Sequence, residues 1–382
     1  VTEVAAVDRP ILDDATADDL RWMDVALDLG RRGLGLTAPN PPVGAVIVAS
    51  GRGGRVVGRG WTRPGGRPHA ETEALQRAGD AARGATAYVT LEPCSHFGQT
   101  PPCVDALLAA GVARVVAGLR DPDPRVDGRG VARLRAAGVS VTVAPSAEAR
   151  RLAAGHIARV TLGRPHVALK LAVSVDGKVG LAGRKPAAIS GDASRRRVHL
   201  MRAESDAILV GIGTVLADDP ALTCRLPGMG SRSPTRVVLD TELRTPLTSV
   251  LVRTARETPT WIFCAEEAST EAERALKAAG VEVMRVDRAA AGRLDLGKAM
   301  KLLALRGLTR VMVEGGPTVA AALLEADLLD EATIVTGPAI LGASAIDALE
   351  GKPLSALTAA PGFRLTAESR VGDDSWARYE RS

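Results

Sequence analysis

A chain of 382 residues with 46% hydrophobic and 24% charged residues falls in the range of globular proteins and is long enough for two domains. Its net charge of +5 is too weak a field to demand a nucleic acid, and four Trp, two Tyr and three Phe are too few for base-stacking platforms. The longest uncharged run, 33–51, holds Pro39, Asn40, Pro41 and Pro42 and cannot form a spanning helix, so no membrane is expected. The first residues are acidic: Asp8, Asp13, Asp14, Asp18 and Asp19 stand against Arg9. Residues 1–17 therefore read as a flexible acidic segment rather than a signal peptide, and the expected compartment is the cytoplasm. In that setting Cys94, Cys103, Cys224 and Cys264 point to metal or catalytic thiols before a disulfide framework.

In chain order, apolar runs predict strands at 43–49, 85–91, 112–118 and 139–144, with helices at 69–78, 103–110 and 131–137 between them. Gly163-Arg164-Pro165 interrupts a helical run and marks a seam near 160–165. Beyond it, strands are expected at 167–175, 207–210, 236–240, 260–264, 281–286, 310–314 and 332–335, then near 363–371 and 375–378. Three Ala-Ala-Gly-Val segments, centred on Gly111, Gly138 and Gly280, each follow an Ala/Leu-rich run and precede a Val-rich one. Glycine tolerates the left-handed conformation past a helix end, so each reads as helix, stop, strand. The fold class is α/β in both halves.

The chemistry concentrates in Pro68-His69-Ala70-Glu71, Glu92-Pro93-Cys94 and Pro102-Cys103. One imidazole and two thiolates give three ligands for a tetrahedral Zn²⁺ and leave the fourth position to water, the layout of a catalytic zinc. His69 and Cys103 each follow a proline and open a helix, whose positive end favours a thiolate. Glu71 lies on the same first turn as His69 and is placed to shuttle protons without ligating the metal. This is the signature of zinc deaminases, although eight residues separate the cysteines instead of two. A structural zinc completed by His96 is the alternative, and it leaves Glu71 without a role. A deaminase acting on nucleic acid would also use such a site.

The run from Glu92 to Cys103 (EPCSHFGQTPPC), with Asn40-Pro41-Pro42-Val43-Gly44-Ala45-Val46 and Pro68-His69-Ala70-Glu71, closely resembles the deaminase half of the bifunctional riboflavin-biosynthesis deaminase/reductase family, in which the eight-residue spacing is normal. The resemblance implies a cytidine-deaminase-like αβα sandwich over 18–162. It also implies hydrolytic removal of the 2-amino group of 2,5-diamino-6-ribosylamino-4(3H)-pyrimidinone 5′-phosphate, with Asn40 on the pyrimidine. Gln99 stands where members often carry Lys or Arg, and Asp123 of Asp121-Pro122-Asp123-Pro124 stands where they carry Asn. Asp123 is therefore expected to face a base or a sugar hydroxyl.

In the second half, Gly211-Ile212-Gly213-Thr214-Val215-Leu216 starts like a dinucleotide fingerprint but has Leu216 for its third glycine. The run 292–299 nearly spells a phosphate loop, but Ala299 replaces its Ser/Thr, and it reads as a helix start. Glu314-Gly315-Gly316-Pro317-Thr318 ends a strand, turns on two glycines and opens a helix at Pro317. It is either an anion cradle or only a tight turn.

With Leu169-Lys170-Leu171-Ala172 and Asp218-Asp219-Pro220-Ala221-Leu222-Thr223-Cys224-Arg225, these segments are similar to the reductase half of the same family. The resemblance implies a dihydrofolate-reductase-like α/β domain over 163–382 that uses NADPH to convert the ribosyl group to ribityl. It places Ala172, Ala188, Thr214, Asp218, Gly316, Pro317 and Thr318 at the cofactor. It places Lys170, Pro186, Arg202, Leu222, Arg225 and Glu314 at the substrate. Ala188 replaces a tryptophan common in the family. Arg202 and Arg225 are expected to clamp the 5′-phosphate, because guanidinium pairs bidentately with phosphate. No single residue stands out as the reader of a 2′-phosphate. The expected partners are the phosphorylated pyrimidine and further copies of the chain in a homo-oligomer.

Overall fold

The computed structural model describes residues 15–382 except 52, 186, 290 and 291. Most of the acidic segment, and Pro186, therefore lie outside the described residues. The chain divides into two compact units between Gly163 and Arg164.

In the first unit, α1 (Ala17–Arg31) starts on a capping box: Thr16 Oγ1 accepts from the Asp19 N–H, and the Asp19 carboxylate accepts from the Thr16 N–H. Then follow β1 (Gly44–Ala49), β2 (Arg55–Trp61), α2 (Ala70–Ala78), β3 (Thr86–Val89), α3 (Cys103–Ala109), β4 (Arg114–Ala117), α4 (Arg129–Ala136), β5 (Ser140–Val143) and α5 (Ala147–Leu162). The sheet order is β2-β1-β3-β4-β5, antiparallel around β1 and parallel from β3 to β5. Residues 45–48, 87–89 and 115–116 pack with Ala26, Leu27, Val104 and Leu107 into one core. Gly163, in the left-handed region at φ 66°, ends α5 at the expected seam. Gly111, Gly138 and Gly280 have φ of 69°, 86° and 100°, as the Ala-Ala-Gly-Val pattern requires.

The second unit runs β6 (His166–Val173), β7 (Lys178–Gly180), α6 (Asp192–Ala203), β8 (Ala207–Gly211), α7 (Ile212–Asp218), β9 (Thr235–Leu239), α8 (Val250–Arg253), β10 (Thr260–Ala265), α9 (Thr270–Ala278), β11 (Glu282–Val286), α10 (Leu296–Leu305), β12 (Arg310–Val313), α11 (Pro317–Glu325), β13 (Glu331–Thr336), β14 (Ile346–Asp347), α12 (Ser355–Thr358), β15 (Phe363–Val371) and β16 (Asp374–Arg381). Nine strands form one sheet, β11-β10-β9-β8-β12-β6-β13-β16-β15, in which only the pairings β13–β16 and β16–β15 are antiparallel, so β16 alone runs against the rest. β12 fills the slot between β8 and β6, so the connections diverge at the carboxyl ends of these three strands. Open α/β sheets bind their ligands at such a place. The near-phosphate loop proves to be the start of α10, where Asp295 accepts from the Lys298 N–H.

Candidate active sites

His69 is the N-cap of α2, Cys103 the first residue of α3, and Cys94 lies on the loop after β3. His69 Nδ1 is 3.3 Å from Cys103 Sγ and 3.7 Å from Cys94 Sγ, and all three donor atoms lie within 4.8 Å of one another. A tetrahedral zinc bound at its usual lengths separates nitrogen from sulfur by roughly 3.6 Å, so this donor set fits the ion. The Cys103 thiol, His69 and the Cys103 backbone N–H bring Cys94 down to about 4, and proximity to Cys94 together with burial pushes Cys103 up. Glu71 is buried on the first turn of α2, where burial and the Cys94 charge push its carboxyl above the usual range.

A cavity of about 390 Å³ joins this cluster to Asn40, whose Nδ2 donates to Gly66 O at 2.8 Å. Asp121 and Asp123 line it, and the Asp123 carboxylate is already engaged there. It takes a two-pronged grip from Arg125 (Nη2–Oδ2 2.6 Å, Nε–Oδ1 3.0 Å), which holds it at about 2. Two cavity residues carried no motif in the sequence. His156 Nε2 meets Asp121 Oδ1 at 2.8 Å with both side chains buried, across 35 residues of chain. Arg67 donates to Gln99 Oε1 (3.1 Å) and Thr100 Oγ1 (2.8 Å), and so brings a cation to the position where Gln99 lacks one. Its only signal was its place two residues before His69. Glu92, read as part of the motif, supports the surrounding backbone, since its oxygens accept from the N–H groups of Asp121, Gly128 and Val131.

In the second unit a cavity of about 620 Å³ is lined by Thr214, Asp218, Gly316, Pro317 and Thr318, five of the seven residues expected at the cofactor. Gly316 is the N-cap of α11, and a Cβ built on it would stand 3.6 Å from Thr214 Oγ1. Bare backbone at the start of a nine-residue helix fits a pyrophosphate, so the residues present suit a dinucleotide. Ala172 sits mid-sheet opposite Val335, and Ala188 is exposed; neither lines this cavity.

The expected substrate residues gather apart from it. Parallel pairing sets Val313 against Leu169, so Glu314 and Lys170 follow side by side at the ends of β12 and β6. Burial drives the Lys170 ammonium down from its ordinary range and Glu314 pulls it partly back, while no hydrogen bond engages it among the described residues. The two-arginine clamp needs correction. Arg202 grips Glu314 through Nε (2.6 Å) and Nη2 (2.8 Å) and gives Nη1 to Thr223 O (3.1 Å). Burial opposes the charge on Glu314, yet this pair holds its carboxyl below the usual range. Arg225 remains exposed, with its backbone N–H on His199 Nδ1, and Leu222 is buried in a left-handed turn at φ 52°. No helix among the described residues is long and apolar enough to cross a membrane.

Residues 165–374 match the family described as RibD C-terminal domain, and residues 16–119 match the cytidine and deoxycytidylate deaminase zinc-binding region. The riboflavin biosynthesis protein RibD of Escherichia coli (strain K12) is 42% identical over 368 residues, which cover 93% of this chain and 97% of that one. The RibD of Aquifex aeolicus (strain VF5) is 40% identical over 325 residues, covering 85% and 88%. Among solved structures, form 1 of Acinetobacter baumannii RibD superposes with a TM-score of 0.81 at 35% identity, covering 95% of this chain and 99% of that one. The diaminohydroxyphosphoribosylaminopyrimidine deaminase/5-amino-6-(5-phosphoribosylamino)uracil reductase of Thermotoga maritima gives 0.81 at 34% identity, with the same coverage. A cytidine-deaminase fold carrying a donor set that could hold zinc and a dihydrofolate-reductase-like fold thus lie on one chain, and that chain belongs to the RibD family, the bifunctional, NADPH-using deaminase/reductases of riboflavin biosynthesis.

Proposed function

We propose that residues 18–162 deaminate 2,5-diamino-6-ribosylamino-4(3H)-pyrimidinone 5′-phosphate and that residues 163–382 reduce the ribosyl group of the product to ribityl. The observation that carries this reading is buried Glu71 beside His69, Cys94 and Cys103 in a cavity shared with Asn40. His69, Cys94 and Cys103 would hold a zinc ion, which would supply a water of lowered pKa, about 7 in such sites. Glu71 takes the proton of the attacking water, gives it to a ring nitrogen, and then protonates the departing amine. A C–O bond forms, the C–N bond to the 2-amino group breaks, and ammonia leaves. Asn40, fixed through Nδ2, turns its carbonyl oxygen to the pyrimidine.

In the second unit, bound NADPH would supply the hydride for C1′, and the turn 316–318 with Thr214 would hold its pyrophosphate. As the C1′–O4′ bond opens, O4′ needs a proton, and Lys170 delivers it; Glu314 and Arg202 keep that ammonium in place. Arg225 faces the 5′-phosphate with Leu222 beside the substrate, and Ala172 belongs to the cofactor side. The same reading makes the chain a cytoplasmic homo-oligomer, and light scattering that gives a monomer's mass removes that part.

The test uses two variants. Glu71→Gln is expected to lower ammonia release by ~10²–10⁴-fold, with about one zinc per chain retained and NADPH oxidation intact on the deaminated compound. Asp218→Ala is expected to accumulate the deaminated ribosyl compound. Loss of both activities in folded, zinc-loaded Glu71→Gln overturns the assignment of one step to each unit.

A further inference from the structure

The described residues lining the larger cavity include three charged side chains: Asp218, Lys185 and Arg244. A carboxylate in a dinucleotide cleft suits ribose hydroxyls, and alone it favours the cofactor without a 2′-phosphate. Preference for the phosphorylated form needs a cation beside it. Neither Lys185 nor Arg244 makes a side-chain hydrogen bond or ion pair among the described residues, so both charges are uncommitted. Other arginines of this unit are engaged: Arg202 holds Glu314, and buried Arg236 donates to the carbonyl oxygens of Ala221, Leu251, Thr254 and Thr258.

The turn after β9 singles out Arg244. Parallel pairing sets Gly211 against Leu239, so α7, which carries Thr214 and Asp218, and the turn carrying Arg244 leave adjacent strands at one level. Buried Asp240 builds that turn: its Oδ2 accepts from the N–H and the hydroxyl of Thr245, both at 2.7 Å, and its carbonyl oxygen accepts from the Leu243 N–H. Leu243 is buried with φ at 55°, a conformation costly for a residue with a Cβ. Thr245 is buried too, so Arg244 stands exposed between two anchored neighbours. The Thr241 carbonyl accepts from the Ala265 N–H, and Asp219, next to Asp218, accepts from the Val250 N–H at 2.7 Å. The backbones bearing Asp218 and Arg244 are therefore tied to the same part of the unit. Lys185 stands on a separate segment, paired back onto Leu181 beside β7.

The geometry points to Arg244 as the residue that reads the 2′-phosphate and sets the preference for NADPH over NADH, with Asp218 taking the neighbouring ribose hydroxyl. NADPH differs from NADH by one phosphate monoester, and a guanidinium meets such a group with two parallel N–H bonds. The inference rests on assigning this cavity to the nicotinamide cofactor, and the test separates the two.

Wild type, Arg244→Gln, Lys185→Gln and Gly316→Val, each checked for an unchanged melting temperature, are titrated calorimetrically with NADP⁺, NAD⁺, 2′,5′-ADP and 5′-AMP. Arg244→Gln is expected to weaken NADP⁺ and 2′,5′-ADP by about tenfold or more while NAD⁺ and 5′-AMP stay within about twofold. Gly316→Val is expected to weaken both dinucleotides. If it weakens neither, the cavity assignment fails. If it weakens both but the NADP⁺/NAD⁺ ratio of Arg244→Gln equals that of wild type, the cavity stands and Arg244 is not the reader. A ratio that collapses in Lys185→Gln instead also overturns the inference.

Discussion

Among the described residues Arg67 donates only to neutral oxygens, those of Gln99 and Thr100, and no carboxylate there balances its charge at the cavity wall, whereas Arg125 is offset by Asp123. The first substrate carries a phosphate, and a charge-assisted bond to it is worth ~1.5–3 kcal/mol. Arg67→Ala is expected to raise the deaminase KM by about tenfold or more and to leave the reductase untouched. The same comparison on dephosphorylated substrate should show no difference between the two enzymes. An equal loss on both substrates assigns Arg67 to loop structure instead. A second residue-scale effect belongs to Asp19, buried against Arg114 (Nη1–Oδ1 2.6 Å, Nη2–Oδ2 2.9 Å). Burial opposes its charge, but Arg114 and Thr16 outweigh this and hold the carboxyl below the usual range. A depressed carboxylate stabilises fully above its unfolded value of ~3.9, and the contribution is lost as pH falls further through the folded value. Asp19→Asn leaves Arg114 short of its partner and is expected to cost about 3 kcal/mol at pH 7, roughly 5–10 °C in Tm. The gap from wild type should narrow as pH drops from 4 towards 2; a gap of constant size across that range contradicts the account.

β2 shows where local pattern stops being informative. Its sequence, Arg55-Val-Val-Gly-Arg-Gly-Trp61, neither alternates nor forms an apolar run, and no strand is expected there. The reason lies in its neighbour. A Cβ on Gly58 would come 2.1 Å from Ala74 O, and one on Gly60 would come 2.4 Å from Ala70 O, so α2 lies on the strand backbone and only glycine fits. Gly60→Ala must push α2 outward, at a cost of about 1–3 kcal/mol or several degrees in Tm. Because α2 begins at the His69 ligand, zinc content after dialysis should fall as well; a variant with unchanged melting and full zinc rejects the packing argument. Elements buried by their own apolar residues, such as β1 and β8, and helices closed by glycine were legible from the sequence. So was the zinc set, because its three ligands occupy short Pro-anchored runs. Arg202 with Glu314, 112 residues apart, and His156 with Asp121 were not: a polar side chain does not announce its distant partner. That is why Arg202 reads as a free clamp in the sequence and is found holding Glu314.

At the scale of the molecule, the described lining of one cavity runs from Pro39 to Val160 and that of the other from Val179 to Ile346. Chelating the zinc is therefore expected to stop ammonia release while the chain still oxidises NADPH on the already deaminated compound; simultaneous loss of both rates with the second unit still folded speaks against independent sites. The partition has a genetic counterpart. Two alleles, one encoding Glu71→Gln and the other Asp218→Ala, should complement each other, because each retains the half its partner has lost. Mixed in one tube, the two proteins should convert the diamino substrate to the ribityl product after a lag that shortens as protein concentration rises, since the intermediate must pass through solution from one chain to another. A single protein bearing both substitutions should add nothing to either.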